Sequence, residues 1–322
     1  MKPPRVSILI PTYNYARFLP EAIESVLAQD FDDYEVLIVD DGSADNTAEV
    51  VAPYCKRDRR ISFEVNRTNL GMVANWNVCL KKARGEYVKY LFGDDKLAES
   101  NALSKLVALL ASKPSVSLAT SARRIINEAS HPIETWNQWK KAGVHNGRSV
   151  IFNCLEKAQN LVGEPTAVMF RRSLGERGFN PAYRQLVDLE MWFHLLEQGD
   201  MAYTPEELCC FRTHGAQQTE VNKVSMIGHK EMLMLFSTCC DQPWYRESTG
   251  ITRASMLWSL RNLRNTCPPA DFKVLENRVR AKVPKLVLLI YWLIRRTARP
   301  FENLNRSARK RILRWKQRQQ TA

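Results

Sequence analysis

The residues of this chain best suited to chemistry are carboxylates at the ends of apolar runs. "YLFGDDKL" (90–97) passes from an aromatic segment straight into Asp94 and Asp95, and "YEVLIVDDGSADNT" (34–47) does the same at Asp40 and Asp41. Adjacent acids repel each other and interrupt a buried run, so each pair calls for something that makes it tolerable. A hard divalent cation is one answer, because it takes oxygen ligands and is often shared with phosphate groups. Mg²⁺ or Mn²⁺ at Asp95 would bridge a diphosphate and neutralise charge as that group leaves. The plain alternative is a solvated Asp-Asp turn that caps the next helix. Two further elements carry candidate groups: "VDLEMW" (187–192), with Asp188 and Glu190, and "FRTH" (211–214), with Arg212 and His214.

The elements that must position these groups alternate regularly over the first 120 residues. Strand patterns at 5–10, 34–39, 61–65, 86–92 and 115–120 are separated by helical patterns. The first helix carries the stripe Leu19, Ile23, Val26 and Leu27, and the next three cover 44–55, 71–83 and 100–112. Short apolar strands alternating with helices predict an α/β fold with a mostly parallel central sheet covered on both faces. On such a sheet, ligands sit at the carboxyl ends of the strands. The segments that follow the strands are "PTYNYA" (11–16), "DDGSADNT" (40–47), "NRTNLGMVANWN" (66–77) and "GDDKL" (93–97), and they should share one edge. From 121 to 220 the pattern is irregular, apart from a helix at 188–199 and "PEELCCFRTH" (205–214). Helical patterns resume at about 222–240, 250–265 and 271–297.

The net charge of +13 suggests nucleic-acid binding until it is located. Residues 281–322 hold twelve Lys and Arg against one acid, Glu302, so the body of the chain is nearly neutral and the tail is basic. Positive charge that leaves the folded body argues against a nucleic-acid partner. None of the eight cysteines forms a CxxC pair. With no apolar leader before the first strand pattern, the expectation is a cytoplasmic protein with reduced thiols.

"VSILIPTYNYARFLPEAIESVLAQ" (6–29), "YEVLIVDDGSADNT" (34–47), "NLGMVANWNVCLKKARGEYVKYLFGDD" (69–95) and "DLEMW" (188–192) follow one another in that order. Together they resemble the family 2 inverting glycosyltransferases, whose nucleotide-sugar-binding fold is called GT-A. The resemblance covers residues 5 to about 215. It implies a catalytic domain over 1–220, with a nucleotide-binding half (1–120) and an acceptor and sugar half (121–220), followed by a helical extension over 221–322. It implies that Pro11, Thr12, Tyr13 and Asn14 form the first nucleotide-binding loop, with the aromatic against the base. Asp40 would hydrogen-bond the base edge with Asp41 beside it, and Asn69 and Gly71 would close over the nucleoside. Asp94 and Asp95 match the family's Asp-x-Asp variant, the first near the ribose and the second on the metal. Asp188 takes the place of the catalytic base, although the Glu that usually precedes it is Val187 here; Glu190 is its rival. Arg212 and His214 match an Arg-x-His element, the arginine near the diphosphate and the histidine near the metal. "GEPT" (163–166) falls where relatives build the sugar and acceptor pocket.

The implied activity moves a sugar from a nucleotide-diphosphate sugar, UDP first, to a saccharide acceptor, often lipid-linked. A sugar nucleotidyltransferase is a second class, but "PTYNYARF" lacks the Gly-rich basic loop that would hold a triphosphate. A binding or scaffold protein with a degenerate site is a third. In the tail, "LVLLIYWLI" (286–294) is flanked by Lys282, Lys285, Arg295, Arg296 and Arg299, and Leu304, Ala308, Ile312 and Trp315 lie on one helical stripe. Nine apolar residues are too few to span a bilayer, which needs about 20. Apolar stripes among cations predict a helix lying in an anionic membrane surface, at the inner face of the cell membrane. Packing of 286–294 on the catalytic domain, with a solvated tail after it, is the alternative.

Overall fold

The structure, a computed structural model, describes residues 2–215, 227–247, 257, 269–281, 285–287, 289 and 293. The chain divides into two compact units, Met1–Leu235 and Phe236–Ala322. The first half of unit one runs β1 (Val6–Thr12), α1 (Leu19–Leu27), β2 (Tyr34–Asp40), α2 (Thr47–Arg57), β3 (Ile61–Val65), α3 (Met72–Lys82), β4 (Tyr87–Tyr90), β5 (Lys96–Leu97) and α4 (Ala102–Ala111). Then follow β6 (Val116–Ile126), β7 (Pro132–Trp136), β8 (Gly143–His145), α5 (Gly147–Lys157), β9 (Val168–Arg171), α6 (Val187–Leu196) and β10 (Asp200–Arg212). Helix α7 (Ile227–Asp241) crosses the boundary between the units, and α8 (Pro269–Ala281) belongs to the second.

Among the described residues, ten strands form one sheet in the order β3-β2-β1-β4-β9-β6-β10-β5, with β7 on β6 and β8 on β10. Every residue of β1 is buried, as a strand covered on both faces must be. The stripe Leu19, Ile23 and Val26 of α1 is buried against it, while Leu27 packs at the margin of the core. Strands β1 to β4 are parallel to one another, with Thr12 opposite Asp40 and Asp40 opposite Val65. Their carboxyl ends therefore share one edge.

The stretch from 121 to 186 owes its irregular pattern to short and exposed pieces. Four-residue β9 slips antiparallel between β4 and β6, and β7 has four of its five residues exposed. The sheet is consequently mixed beyond its parallel strands β1 to β4. Two successive reversals across β9 leave β6, and β10 parallel to it, pointing the same way as β1 to β4. Ile126 pairs with Arg212, so the end of β10 arrives at the edge where β1, β2 and β4 end. α5 packs tightly on the end of α6: a Cβ at Gly147 would lie 2.0 Å from the Gly199 carbonyl oxygen. The helical pattern at 250–265, except Leu257, and the basic stripe at 300–322 lie outside the described residues.

Buried Asp41 organises the sheet edge. Its Oδ1 accepts from Asn66 Nδ2 at 2.8 Å and from the Leu70 amide at 2.9 Å, and its Oδ2 accepts from the Gly71 amide at 2.8 Å. Gly71 has φ +85°, a region that disfavours other side chains, and leads directly into α3. Asn66 also donates to Asn75 Oδ1 at 3.0 Å, and Asn75 donates to the Val39 carbonyl at 3.1 Å. Asp41→Ala leaves these donors without their charged acceptor, so it should cost about 2–3 kcal/mol of stability. Urea denaturation checks the loss, and faster hydrogen exchange at Leu70 and Gly71 checks its location. Unchanged exchange there would contradict this account of the loop.

Candidate active site

Three groups of residues meet along this edge. In the first, Asn14 adopts φ 57° and is held from both sides: its amide donates to Ser43 Oγ at 2.8 Å, and its Oδ1 accepts from the Ala44 amide at 2.9 Å. Thr12 is buried beside it, Pro11 lies within β1, and Tyr13 is 47% exposed. Asp40 is buried and accepts from the Ser43 amide at 3.1 Å and from the Ser43 hydroxyl. The structure thus joins the first two sheet-edge loops through Asn14, Ser43 and Asp40. Asn69 sits on the third loop, its Oδ1 accepting from the Gly71 amide at 3.1 Å. Asp45, one residue before the amino-terminal cap of α2, accepts from the Thr47 amide at 3.1 Å.

The second group is the Asp-Asp turn. Asp95 is almost wholly buried; its Oδ2 accepts from the Thr166 hydroxyl at 2.5 Å and its Oδ1 from the Arg212 amide at 2.8 Å. Burial, and then the neighbouring charge of Asp94, push the Asp95 carboxyl well above the usual carboxylate range. Asp94 Oδ2 lies 3.0 Å from His214 Nε2, and the His214 ring is flanked by Tyr15 and Phe18 at centroid distances of 5.8 and 5.1 Å. Burial, then the charges of Asp94 and Asp95, raise the Tyr15 phenol above its ordinary range. Gly93 lets the turn approach the first loop: a Cβ there would meet Thr12 Oγ1 at 3.2 Å and Leu19 Cδ2 at 3.3 Å.

Arg212, expected near the diphosphate, has a fully buried side chain whose contacts in this structure are with protein groups. Nε donates to the Asp94 carbonyl at 2.6 Å, one terminal nitrogen donates to the Glu128 carbonyl at 3.0 Å and to Ser130 Oγ at 2.8 Å, and the other meets Glu21 Oε2 at 3.2 Å. Arg212 is therefore the post on which the Asp-Asp turn and the 127–130 turn are hung. Burial alone would raise Glu21, but hydrogen bonds from Lys96 and Ser130 and the charge of Arg212 bring it down to about 2. Sequence reasoning missed Glu21, whose position on the exposed side of an amphipathic helix gives no signal of this role.

The third group surrounds Asp188 in the first turn of α6. Its Oδ2 accepts from Asn160 Nδ2 at 2.9 Å and its Oδ1 from the Leu189 amide at 2.7 Å. Burial, and then the charge of Glu164, raise its carboxyl to about 7. Glu164 is itself held by the buried Arg123, Nε to Oε2 at 2.5 Å, and Arg123 lies over the Trp136 ring. Glu190 points elsewhere and pairs with Arg177 at 2.9 Å. Val187, where the preceding Glu is usual, is buried in the core. Buried Trp192 donates to the Gly163 carbonyl at 2.8 Å, tying α6 to the 163–166 segment. That segment links two groups: the charge of Glu164 acts on Asp188, and Thr166, two residues on, holds Asp95.

The groups could hold a divalent cation by donor chemistry. Asp94, Asp95 and His214 offer carboxylate oxygen and imidazole nitrogen, donors suited to Mn²⁺ or Mg²⁺. Burial is the larger cause that raises Asp95, and the repulsion from Asp94 that adds to it is the kind a cation relieves. Among the described residues no group of three or more His, Cys, Asp or Glu side chains is placed to hold a metal ion by itself, so an ion here would need ligands from outside the protein.

Residues 7–179 match the family described as Glycosyl transferase family 2. The protein MT1568 of Mycobacterium tuberculosis (strain CDC 1551 / Oshkosh) is 33% identical over 230 residues, covering 67% of this chain and 69% of that protein. S. aureus TarS 1–349, solved in complex with UDP-GlcNAc, superposes with a TM-score of 0.60 at 16% identity, covering 92% of each chain. The mannosyltransferase PcManGT from Pyrobaculum calidifontis, solved with GDP-Man and Mn2+, superposes with a TM-score of 0.56 at 16% identity, covering 94% of this chain and 88% of that one. Of the three classes open to the sequence, one stands. With its GT-A fold and a family match over residues 7–179, more than half of its length, this chain belongs to glycosyl transferase family 2 and is a glycosyltransferase.

Proposed function

We propose that this glycosyltransferase is metal-dependent and inverting, moving a sugar from a nucleotide-diphosphate sugar to a hydroxyl of a saccharide acceptor, with UDP as the first donor nucleotide. The observation that carries this reading is the segment 163–166, which is tied to Asp188 through Asn160 and to Asp95 through Thr166. It brings a carboxylate with raised proton affinity and a paired-acid turn to one edge. TarS with UDP-GlcNAc and PcManGT with GDP-Man and Mn2+ support a nucleotide-sugar donor and a divalent cation for this chain.

In this reading the nucleoside lies along Tyr13, Asp40 and the loop of Asn69 and Gly71. Asp95 would hold Mn²⁺ or Mg²⁺, with His214 and Asp94 beside it, and such an ion would supply positive charge where the diphosphate departs. Asp188 accepts the acceptor hydroxyl's proton as that oxygen bonds to the anomeric carbon, while the bond from that carbon to the diphosphate oxygen breaks on the opposite face. Arg212 keeps the turn in place from beneath. Burial, and then the charge of Glu164, keep Asp188 basic enough to take the proton near neutral pH.

Transfer needs ionised Asp188, and a group titrating at about 7 is ionised above that pH. The kcat/KM for transfer should therefore rise with pH through about 7 and level off above it. Asp188→Asn should preserve the fold and UDP binding while lowering transfer by roughly two orders of magnitude or more. Rate measurements on both proteins from pH 5.5 to 9 test this. An active Asp188→Asn with an inactive Glu190→Gln would place the base at Glu190 instead.

The acceptor side of the proposal is a lipid-linked saccharide at an anionic membrane surface. No helix of the described residues is long and apolar enough to cross a membrane. Leu286, Leu289 and Leu293 are nevertheless 67%, 54% and 49% exposed, and fall at helical spacing in the segment bracketed by cations. Their joint replacement by Glu in the full chain should abolish flotation with phosphatidylglycerol vesicles and leave UDP binding intact. Equal flotation by both proteins, or none by the wild type, would remove the membrane from the account.

A further inference from the structure

Glu231, in the first half of α7, is a buried carboxylate that neither the donor groups nor the base cluster uses. Its Oε1 accepts from the Arg184 amide at 2.6 Å, and its Oε2 accepts from the amides of Gln185 and Leu186 at 2.9 and 2.7 Å. Three successive backbone N–H groups form a positive concavity that suits an anion. Here the anion is a side chain from 45 residues further along the chain. The three amides lead straight into α6, and Asp188 is the second residue of that helix.

Two consequences follow for Asp188. The first is geometric: the turn at 184–186 is pinned at each of its amides, so the first turn of α6 departs from a fixed point. The second is electrostatic. The amino end of a helix favours a negative charge, so an acid in the first turn is ordinarily pulled toward its ionised, weakly basic form. A carboxylate already bound to the amides before the helix offsets that positive end. Around Asp188 itself stand Glu164, with Arg123 behind it, Asn160 and the Leu189 amide. Further along α6, Glu190 is engaged by Arg177, and the Arg184 side chain is exposed at the turn.

We propose that Glu231 is a positioning residue for Asp188: it pins the 184–186 turn, fixes the start of α6 and offsets the positive end of that helix. The proposal rests on reading Asp188 as the base, and the experiment separates the two. Glu231→Gln, Glu231→Ala and Asp188→Asn are compared with wild type in the full chain with Mn²⁺. The donor is whichever of UDP-GlcNAc, UDP-glucose and GDP-mannose the wild type turns over fastest, and nucleotide release is followed from pH 5.5 to 9.

The Glu231 variants should stay folded by thermal melt and bind the free nucleotide diphosphate within about twofold of wild type. They should lose about tenfold in kcat, as a small misplacement of a reacting group does. The midpoint of their kcat/KM profile should fall by about half a pH unit, because the unopposed helix end stabilises ionised Asp188. If Asp188→Asn is inactive while both Glu231 variants keep the wild-type kcat and midpoint, the positioning role is overturned and the base reading survives. If Asp188→Asn is fully active, the base reading falls and the proposal with it. If both Glu231 variants fail to fold, Glu231 serves stability alone and the proposal is overturned.

Discussion

Burial of the Asp95 carboxylate beside a second acid is the constraint on which the rest of this site depends. A buried negative charge is costly unless donors and opposite charge surround it. The protein meets that need from several directions. Thr166 gives its hydroxyl and Arg212 its backbone amide. Beneath Thr166, fully buried Lys89 of β4 donates to the Thr166 carbonyl, and burial lowers its ammonium to about 8. Arg212 then extends the network to the Asp94 carbonyl, the 127–130 turn and Glu21. These donors come from distant parts of the chain, so the Asp-Asp turn takes its shape only when α1, β4, β6, β10 and the 163–166 segment are all in place. The edge still carries an excess of carboxylate, which is what a site for a cation and a diphosphate needs.

The sheet makes this possible through one insertion. β9 reverses direction between β4 and β6, so its leading segment, 163–166, crosses the same edge at which β4 and β10 end. A purely parallel continuation would start each new strand at the opposite edge. The reversal brings Glu164 and Thr166 to this edge without a long loop, and Trp192 and Asn160 hold them there through the Gly163 carbonyl. Asp188, the proposed base, and the paired acids are thereby parts of one hydrogen-bonded edge.

Much of this was legible in the residues. Strands and helices up to residue 112 announced themselves by period, because a strand covered on both faces is a continuous apolar run and its flanking helices are amphipathic. The positions of Asp40, Asp94, Asp95 and Asp188 at element ends followed from the same pattern. The less legible parts share a cause: they depend on contacts between residues far apart in the chain. Arg212 reads as a charge beside a ligand, yet 13-residue β10 buries it. Lys89 reads as the polar face of a strand that proves buried on both sides. Glu231 sits in a helical pattern where an acid ordinarily faces water. Asn146, which caps α5 by accepting from the Ser149 amide at 3.2 Å, lies in a segment whose apolar period was too weak to announce a helix.

The central claim is that the Asp-Asp turn, supported from below by Arg212, is where a cation and a donor diphosphate meet. Anomalous diffraction from crystals grown with Mn²⁺ and UDP tests it most directly. The account predicts one strong Mn²⁺ peak bonded to an Asp95 carboxylate oxygen and to the diphosphate, with Arg212 still buried on Glu21 and the Asp94 carbonyl. A diphosphate bound with no Mn²⁺ at Asp95, and held instead by a swung-out Arg212, would contradict it.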